Sequence, residues 1–532
     1  MSVSDSLSMS PIIPIPGQLH IYNNGENNEI SEKCYSTDKK SELPTARNPA
    51  TCEKIPNTVN PKKKDGLNVN KTRIQQFYSG QTIFITGGSG FLGKILIEKL
   101  LRACTDITTI YVLLRSKTER DVEDRLNDIF QNMIYDRLKA EVPNFRSKIV
   151  PIKGDLSVAN LGLSRDDDSL LKQNVSIVFH MGANVRFKEE FKSVAMTNIN
   201  GTKYILDMAK DMKNLKAFIY VSALNANCYL KHNEEIFYPC PITYQTFLTI
   251  VKNLKPGEVS EQIAEAFSAW PNTYTITKAV AESLVKEVSE ELPIGIFRPG
   301  TVISTADEPL AGWVGNYYGP MGLVKYIYKR LIKYIWCDPN CVVDLVPVDK
   351  TINALIVAAW DVSNKPDRRG IETLIYNYVS SNDAPITWGQ YFQIAKVIGK
   401  KYPLEPWLLT VKLIKKKSLY KTRNWFTYTL PAILLDKLER NTNKRSLQKL
   451  YNKLYQDMEN LGYFMVREWT YANYNVQSMW HRLYRRDQHL FNFDMTDFNW
   501  QEYLENHFKG ILIYLFNEDL DILKVNGEKL KK

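Results

Sequence analysis

Short apolar runs alternate with amphipathic stretches from residue 76 to about residue 300. Six of them predict buried strands: Thr82–Thr86, Thr109–Leu114, Lys148–Lys153, Val175–His180, Ala217–Ser222 and Ile294–Arg298. They are apolar on both faces, as expected of parallel strands covered by helices on either side. After the first run, Leu92, Ile95, Leu96 and Leu100 recur at helical spacing and predict a helix over Leu92–Arg102. This alternation predicts an α/β fold: a Rossmann-like, doubly wound parallel sheet.

Past residue 370 the pattern changes. Helical periodicity dominates and aromatics accumulate, among them Trp388, Tyr391, Phe392, Trp407, Tyr463, Phe464, Trp469, Trp500 and Tyr503. The chain is therefore divided into a disordered polar extension (1–75), a Rossmann-like domain (76–370), a mainly helical C-terminal domain (371–518) and a polar tail (519–532). Within the second part, Met321–Trp336 carries Leu323, Ile327, Leu331 and Ile335 on one stripe. Lys325, Lys329 and Lys333 lie on another. It reads as a basic amphipathic helix, suited to a core contact, to an anionic membrane surface or to ligand phosphates.

Composition narrows the choices. The 532 residues carry a formal charge of +11, which favours anionic partners. Without zinc-finger spacing or a basic helix interleaved with aromatics, no nucleic-acid partner is expected. Seven scattered cysteines suit a reducing compartment and give no metal-ligand spacing, so no metal is expected. There is no signal-peptide pattern and no apolar stretch of about 20 residues that would span a bilayer. Lys415, Lys416 and Lys417 form a further basic cluster.

The candidate chemistry begins at TGGSGFLG, Thr86–Gly93, between the first strand and the helix. Gly87 permits the turn, Gly90 lets the backbone approach a pyrophosphate, and Gly93 lets the helix pack on the strand. The helix N-terminus then offers free N–H groups to phosphate. The second strand ends on Arg115, with Lys117 close by. A carboxylate there would suit a ribose 2′-hydroxyl; two cations suit a 2′-phosphate, so the cofactor is read as NADPH. Tyr274 and Lys278, in PNTYTITKAVAE, lie four apart and share a helix face. A nearby cation depresses a tyrosine pKa, so Lys278 is expected to prepare Tyr274 to protonate a carbonyl oxygen. Ser222, at the end of the fifth strand, is the candidate hydroxyl for orienting that carbonyl.

Taken together, TGGSGFLGK, VLLRSK, GDL (Gly154–Leu156), VFHMGANVRFKEE (Val178–Glu190), PNTYTITKAVAE, FRPGTVIS, GWVGNYYGPMGL (Gly312–Leu323), DLVPVD, LPAILLDK and FNFDMTDFNWQEY resemble eukaryotic, insect-like alcohol-forming fatty acyl-CoA reductases of the extended short-chain dehydrogenase/reductase group. The resemblance spans residues 76 to 516. It implies reduction of a long-chain acyl-CoA to a primary alcohol through an aldehyde, with two NADPH. It also implies a cytosol-facing enzyme in peripheral contact with peroxisomal or endoplasmic reticulum membrane. To the cofactor site it assigns Thr86, Gly87, Gly90, Phe91, Leu92, Gly93, Arg115, Lys117, Asp155, Leu156, Gly182, Tyr274 and Lys278, and to the chemistry Tyr274, Lys278 and Ser222. Where that family tends to read VSTAY, this chain has Val221-Ser222-Ala223-Leu224-Asn225, one hydroxyl fewer. Two alternatives stand beside it: another extended reductase of sterol or nucleotide-sugar type, and a catalytically weak paralogue that binds acyl-CoA or lipid.

Overall fold

The computed structural model describes residues 71–116, 121–186, 189–240, 242–254, 265, 267–364, 373–401, 411–438 and 446–518. Lys117, Trp407 and nearly all of the polar extension and tail lie outside these residues. Residues 71–75, expected within the extension, are ordered: Thr72 caps a short helix, Arg73–Tyr78, through a reciprocal capping box with Gln75.

Seven parallel strands form the central sheet: β1 (Thr82–Thr86), β2 (Thr109–Leu114), β3 (Ile149–Lys153), β4 (Ile177–His180), β5 (Ala217–Val221), β6 (Ile294–Pro299) and β7 (Leu374–Tyr378). Their order is β7-β6-β5-β4-β1-β2-β3. All six strands expected from the apolar runs are present, two at the expected bounds and four with one end moved by one or two residues. The seventh, LIYNY, was not expected; it pairs with β6 from Leu374↔Gly295 to Tyr378↔Pro299.

Alternate residues of the sheet feed two separate cores. Ile83, Ile85, Ile110 and Val112 pack on one side with helix α1 (Phe91–Ala103). Phe84, Tyr111, Leu113 and Val178 pack on the other with helix α2 (Thr273–Val288). The chain reverses direction of winding between β1 and β4, so the crevice above their carboxyl ends is the ligand-binding position of such a sheet.

The expected amphipathic helix over Met321–Trp336 is not one element. Helix α3 covers Pro320–Tyr328, the chain turns at Arg330 (φ 57°), and Tyr334–Trp336 is a strand. β-Branched and aromatic residues favour a strand wherever a partner edge exists, and Lys412–Ile414 supplies one in parallel register. Leu323 and Ile327 on the helix and Ile335 on the strand thus reach the same core by different geometry. Helix α4 (Val348–Ser363) packs with α1 under the sheet. The C-terminal third is mostly helical and includes α5 (Trp388–Lys401), α6 (Lys417–Asn424), α7 (Leu430–Leu438), α8 (Leu447–Met465) and α9 (Trp500–Gly510). Among the described residues no helix is long and apolar enough to cross a membrane.

Candidate active site

At the end of β1 the backbone turns through Gly87 at φ +75°, the left-handed region. A Cβ there would lie 2.8 Å from the Gly182 nitrogen, and a Cβ on Gly93 would lie 2.3 Å from the Gly87 carbonyl oxygen. Both contacts are closer than any side chain permits, so glycine is required where loop, helix and β4 converge. Gly90 is the N-cap of α1 and offers no side-chain cap, so the first-turn amides keep no local acceptor from it. Phe91 stacks on Trp313, with ring centroids 5.5 Å apart, and fixes the start of that helix.

Of the expected cofactor residues, Thr86, Leu156 and Gly182 meet at this turn. Thr86 is fully buried and its hydroxyl is committed: it accepts from the Gly182 amide at 3.0 Å and lies 2.7 Å from His180 Nδ1. It bolts β1 to the end of β4. His180 Nε2 meets the Thr202 hydroxyl at 3.0 Å, and burial lowers its pKa to about 3, so the ring is neutral. Leu156 presses against Gly182, where a Cβ would come within 2.5 Å of its side chain. Asp155 shapes the loop after β3: its Oδ1 accepts from the Ser157 amide at 2.9 Å and the Ser157 hydroxyl at 2.8 Å. Arg115 is exposed at the end of β2, and Arg125 donates to its carbonyl. A second guanidinium therefore stands at the position where Arg115 was singled out. It escaped sequence reading because it comes ten residues later, on the helix Val122–Phe130 that follows the strand.

Helix α2 carries Tyr274 in its first turn and Lys278 one turn on. Lys278 is 3% exposed; its Nζ donates to the Val221 carbonyl at 2.7 Å and sits 4.8 Å from the Tyr220 ring centroid. Burial lowers its pKa to about 7. Tyr274 departs from expectation: burial pushes its pKa up, not down. The ammonium expected to acidify it is directed at a backbone carbonyl and is itself held near its own titration point. Ser222 follows Val221 and is 3% exposed. Its amide donates to the Phe297 carbonyl at 2.8 Å, and its Oγ has no hydrogen-bond partner among the described residues. Ala223, next along the extended chain, is half-buried on the opposite side.

Two supports were not visible in the sequence. Asn198 lies in a π-helical stretch, Met196–Asn200, and is 1% exposed. Its Nδ2 donates to the Thr277 hydroxyl at 3.0 Å and to the Asn184 carbonyl at 3.0 Å, while its Oδ1 accepts from the Asn184 amide at 2.7 Å. Thr277 in turn donates to the Tyr274 carbonyl at 2.8 Å. The loop after β4 and the turn bearing Tyr274 are thereby joined. Below Lys278, Glu282 receives both arms of Arg298, at 2.9 and 2.7 Å, with both side chains buried. A glycine cradle, a Tyr/Lys pair and an unpartnered buried hydroxyl at the end of β5 together fit a dinucleotide.

Similarity to known proteins agrees with this geometry. An NAD-binding family model described as male sterility protein matches residues 85–355, and a second, the Sterile model of the same description, matches residues 427–518. Fatty acyl-CoA reductase wat of Drosophila melanogaster is 34% identical over 454 residues, covering 85% of this chain and 87% of that protein. Human fatty acyl-CoA reductase 2 is 33% identical over 468 residues, covering 86% and 89%. Among solved structures, the terminal R domain from the myxalamid biosynthetic pathway superposes with a TM-score of 0.55 at 19% identity, covering 83% of this chain and 93% of that one. The reductase domain of a Mycobacterium tuberculosis non-ribosomal peptide synthetase gives 0.53 at 15%, covering 82% and 92%. These two share the fold. With a nicotinamide-binding sheet, a second matched domain and relatives spanning most of its length, the chain is an oxidoreductase that belongs to the fatty acyl-CoA reductase family.

Proposed function

We propose that the chain reduces long-chain acyl-CoA to the primary alcohol with two equivalents of NADPH, releasing CoA after the first reduction. The observation that carries this reading is the placement of Lys278, one helical turn from Tyr274 and docked on the carbonyl that precedes Ser222. When bound, the nicotinamide supplies hydride to the carbonyl carbon. Tyr274 gives the proton to the carbonyl oxygen, a contribution of about 10²–10⁴-fold in rate. Lys278, near its titration point, holds the nicotinamide ribose and stabilises the tyrosinate that results. Ser222 offers its unpartnered hydroxyl to the carbonyl. Two hydrides and two protons convert the thioester to alcohol plus thiol: the first pair leads to C–S cleavage and aldehyde, the second reduces the aldehyde. Arg115 and Arg125 supply the charge for a 2′-phosphate.

The test is a cell-free assay of the purified chain with medium- to very-long-chain acyl-CoAs and either NADPH or NADH, with products separated by gas chromatography. Fatty alcohol formed faster with NADPH is the expected result. Aldehyde as the end product overturns the second reduction, and equal rates with NADH overturn the cofactor choice. Cofactor binding without any product overturns the reductase reading and favours an acyl-CoA-binding role, to which the missing hydroxyl at Ala223 points.

A further inference from the structure

Two segments anchored in the candidate site meet at the surface. One is the loop after β4, which Asn198 and Thr277 tie to the turn bearing Tyr274. In it the Arg186 amide donates to Asn184 Oδ1 at 3.1 Å. The other, Gly312–Gly319, starts where Trp313 stacks on Phe91 at the head of α1 and ends on Gly319 (φ 58°), the N-cap of α3. The Tyr318 amide donates to Asn316 Oδ1 at 2.8 Å, which fixes the turn that presents its ring. The Arg186 side chain is hydrogen-bonded to Tyr318 and paired with Glu189 at 3.3 Å, and both contacts hold it in its charged form.

Where the segments meet, two aromatic rings and two cations lie open. Tyr317 is 41% exposed and Tyr318 48%, and the Arg186 side chain is 65% exposed. Lys325, from the expected basic stripe, places its Nζ 3.9 Å from the Tyr317 ring centroid and has no acidic partner among the described residues. The Tyr317 hydroxyl donates to the Leu515 carbonyl, so the ring is pinned although it faces solvent. Pinned aromatics beside cations suit a nucleotide: the base stacks on the rings, while guanidinium and ammonium groups meet its phosphates. This platform follows β4, whereas Arg115 and Arg125 follow β2, on the other side of β1. A dinucleotide whose 2′-phosphate lies at β2 keeps its adenine there and leaves the platform to a second nucleotide.

We infer that Arg186, Tyr317, Tyr318 and Lys325 hold the nucleotide end of the CoA thioester. Its adenine stacks on the tyrosines, and its diphosphate and 3′-phosphate meet Arg186 and Lys325. The inference rests on the reductase reading and adds where the charge of the substrate is held. Binding energy gathered at this end, remote from the reacting carbonyl, is spent on positioning the thioester. The fatty aldehyde carries no nucleotide, so the platform acts on the first reduction alone.

The test compares the purified full-length chain with Arg186→Gln/Lys325→Gln on two thioesters of one fatty acid, the acyl-CoA and the acyl-N-acetylcysteamine, which lacks the nucleotide. The ratio of kcat/KM for the first over the second should fall by at least about tenfold in the variant. An unchanged ratio overturns the proposal. A parent that reduces neither thioester fails the reductase reading, and the platform is then scored without turnover. For this, 3′,5′-ADP is titrated calorimetrically into the chain saturated with NADPH. Affinity at least about tenfold weaker in the variant supports the proposal. No binding to the parent, or equal binding to both, overturns it, as does binding that Arg115→Asp abolishes and the double variant leaves intact. If the double variant fails to fold, as read by circular dichroism, Tyr318→Ala decides by the same two readouts: an unchanged ratio or affinity overturns the proposal, and a fall supports it.

Discussion

Lys278 Nζ donates to the carbonyl of Val221 at 2.7 Å, and that bond ties the helix bearing Tyr274 to the strand end bearing Ser222. A buried lysine is costly, and here its pKa is lowered to about 7 from an ordinary 10.5, mainly by burial and against the opposing pull of Glu282. Between these values the unfolded chain holds the proton and the native chain does not. Stability therefore rises with pH through the window from about 7 to 10.5, and the full penalty is present below it. Lys278→Met removes this term. Denaturant titrations at pH 7, 8.5 and 10 (choices of about one and a half units) should show a rise for the parent and a flatter profile for the variant. Equal slopes would show that Lys278 carries an ordinary pKa.

Tyr274→Phe keeps the ring and removes the proton donor. Its kcat should fall by about 10²–10⁴-fold, with NADPH affinity, read by cofactor fluorescence, within about threefold of the parent. A variant retaining a tenth of the rate would assign the proton to another group.

Arg115→Asp should turn the ratio of kcat/KM for NADPH over NADH toward NADH by at least about tenfold, the worth of roughly 1.4 kcal/mol of lost charge pairing. Arg125→Ala should move the ratio the same way and less far, since its guanidinium is engaged with the Arg115 carbonyl. Unchanged ratios in both would place the 2′-phosphate elsewhere.

How far the site was legible in the sequence depends on the range over which each contact acts. The glycine turn, the six strands and the Tyr274/Lys278 spacing are local patterns, and the apolar runs announced them. Strand β7 carries Asn377, a residue type depleted in strands. In the fold that asparagine is buried: its amide donates to Glu235 Oε1 at 3.0 Å and its Nδ2 to the Ala472 carbonyl at 2.8 Å, partners about a hundred residues away or more. The helical stripe over Met321–Trp336 misled for the same reason: the strand it pairs with lies beyond residue 410. Arg125 and Asn198 carried no motif, since each matters only through what the fold brings against it. The direction of the Tyr274 shift could not be read from spacing either, because it depends on where the Lys278 ammonium points.

Arg298 and Glu282 form a buried pair beneath Lys278, and Arg298 also donates to the Glu234 and Ile236 carbonyls at 3.0 and 2.9 Å. Arg298→Met leaves Glu282 charged and unpaired in the core, a loss of about 3–5 kcal/mol. Adding Glu282→Leu should recover part of that loss, because the stranded charge is gone. Chemical denaturation of the two variants checks this; a double variant no more stable than the single would mean that the carbonyl contacts, not the ion pair, hold this corner.

Asn198 separates positioning from chemistry. Its side chain joins Thr277, whose hydroxyl holds the Tyr274 carbonyl, to the loop after β4 through Asn184. Asn198→Ala leaves the Asn184 amide and carbonyl without their buried partners and should cost about 1–3 kcal/mol of stability. If the joint also sets where Tyr274 stands, kcat should fall by about tenfold or more while the KM for NADPH moves little, since misplacement of an acid by a fraction of an ångström is felt in the rate before it is felt in binding. Asn198→Asp is the control: it keeps the acceptor for the Asn184 amide and loses both donations. Recovery of melting temperature without recovery of kcat would show that the donations of the Asn198 amide, to Thr277 and the Asn184 carbonyl, are what place the tyrosine, whereas recovery of both would reduce Asn198 to a structural bridge.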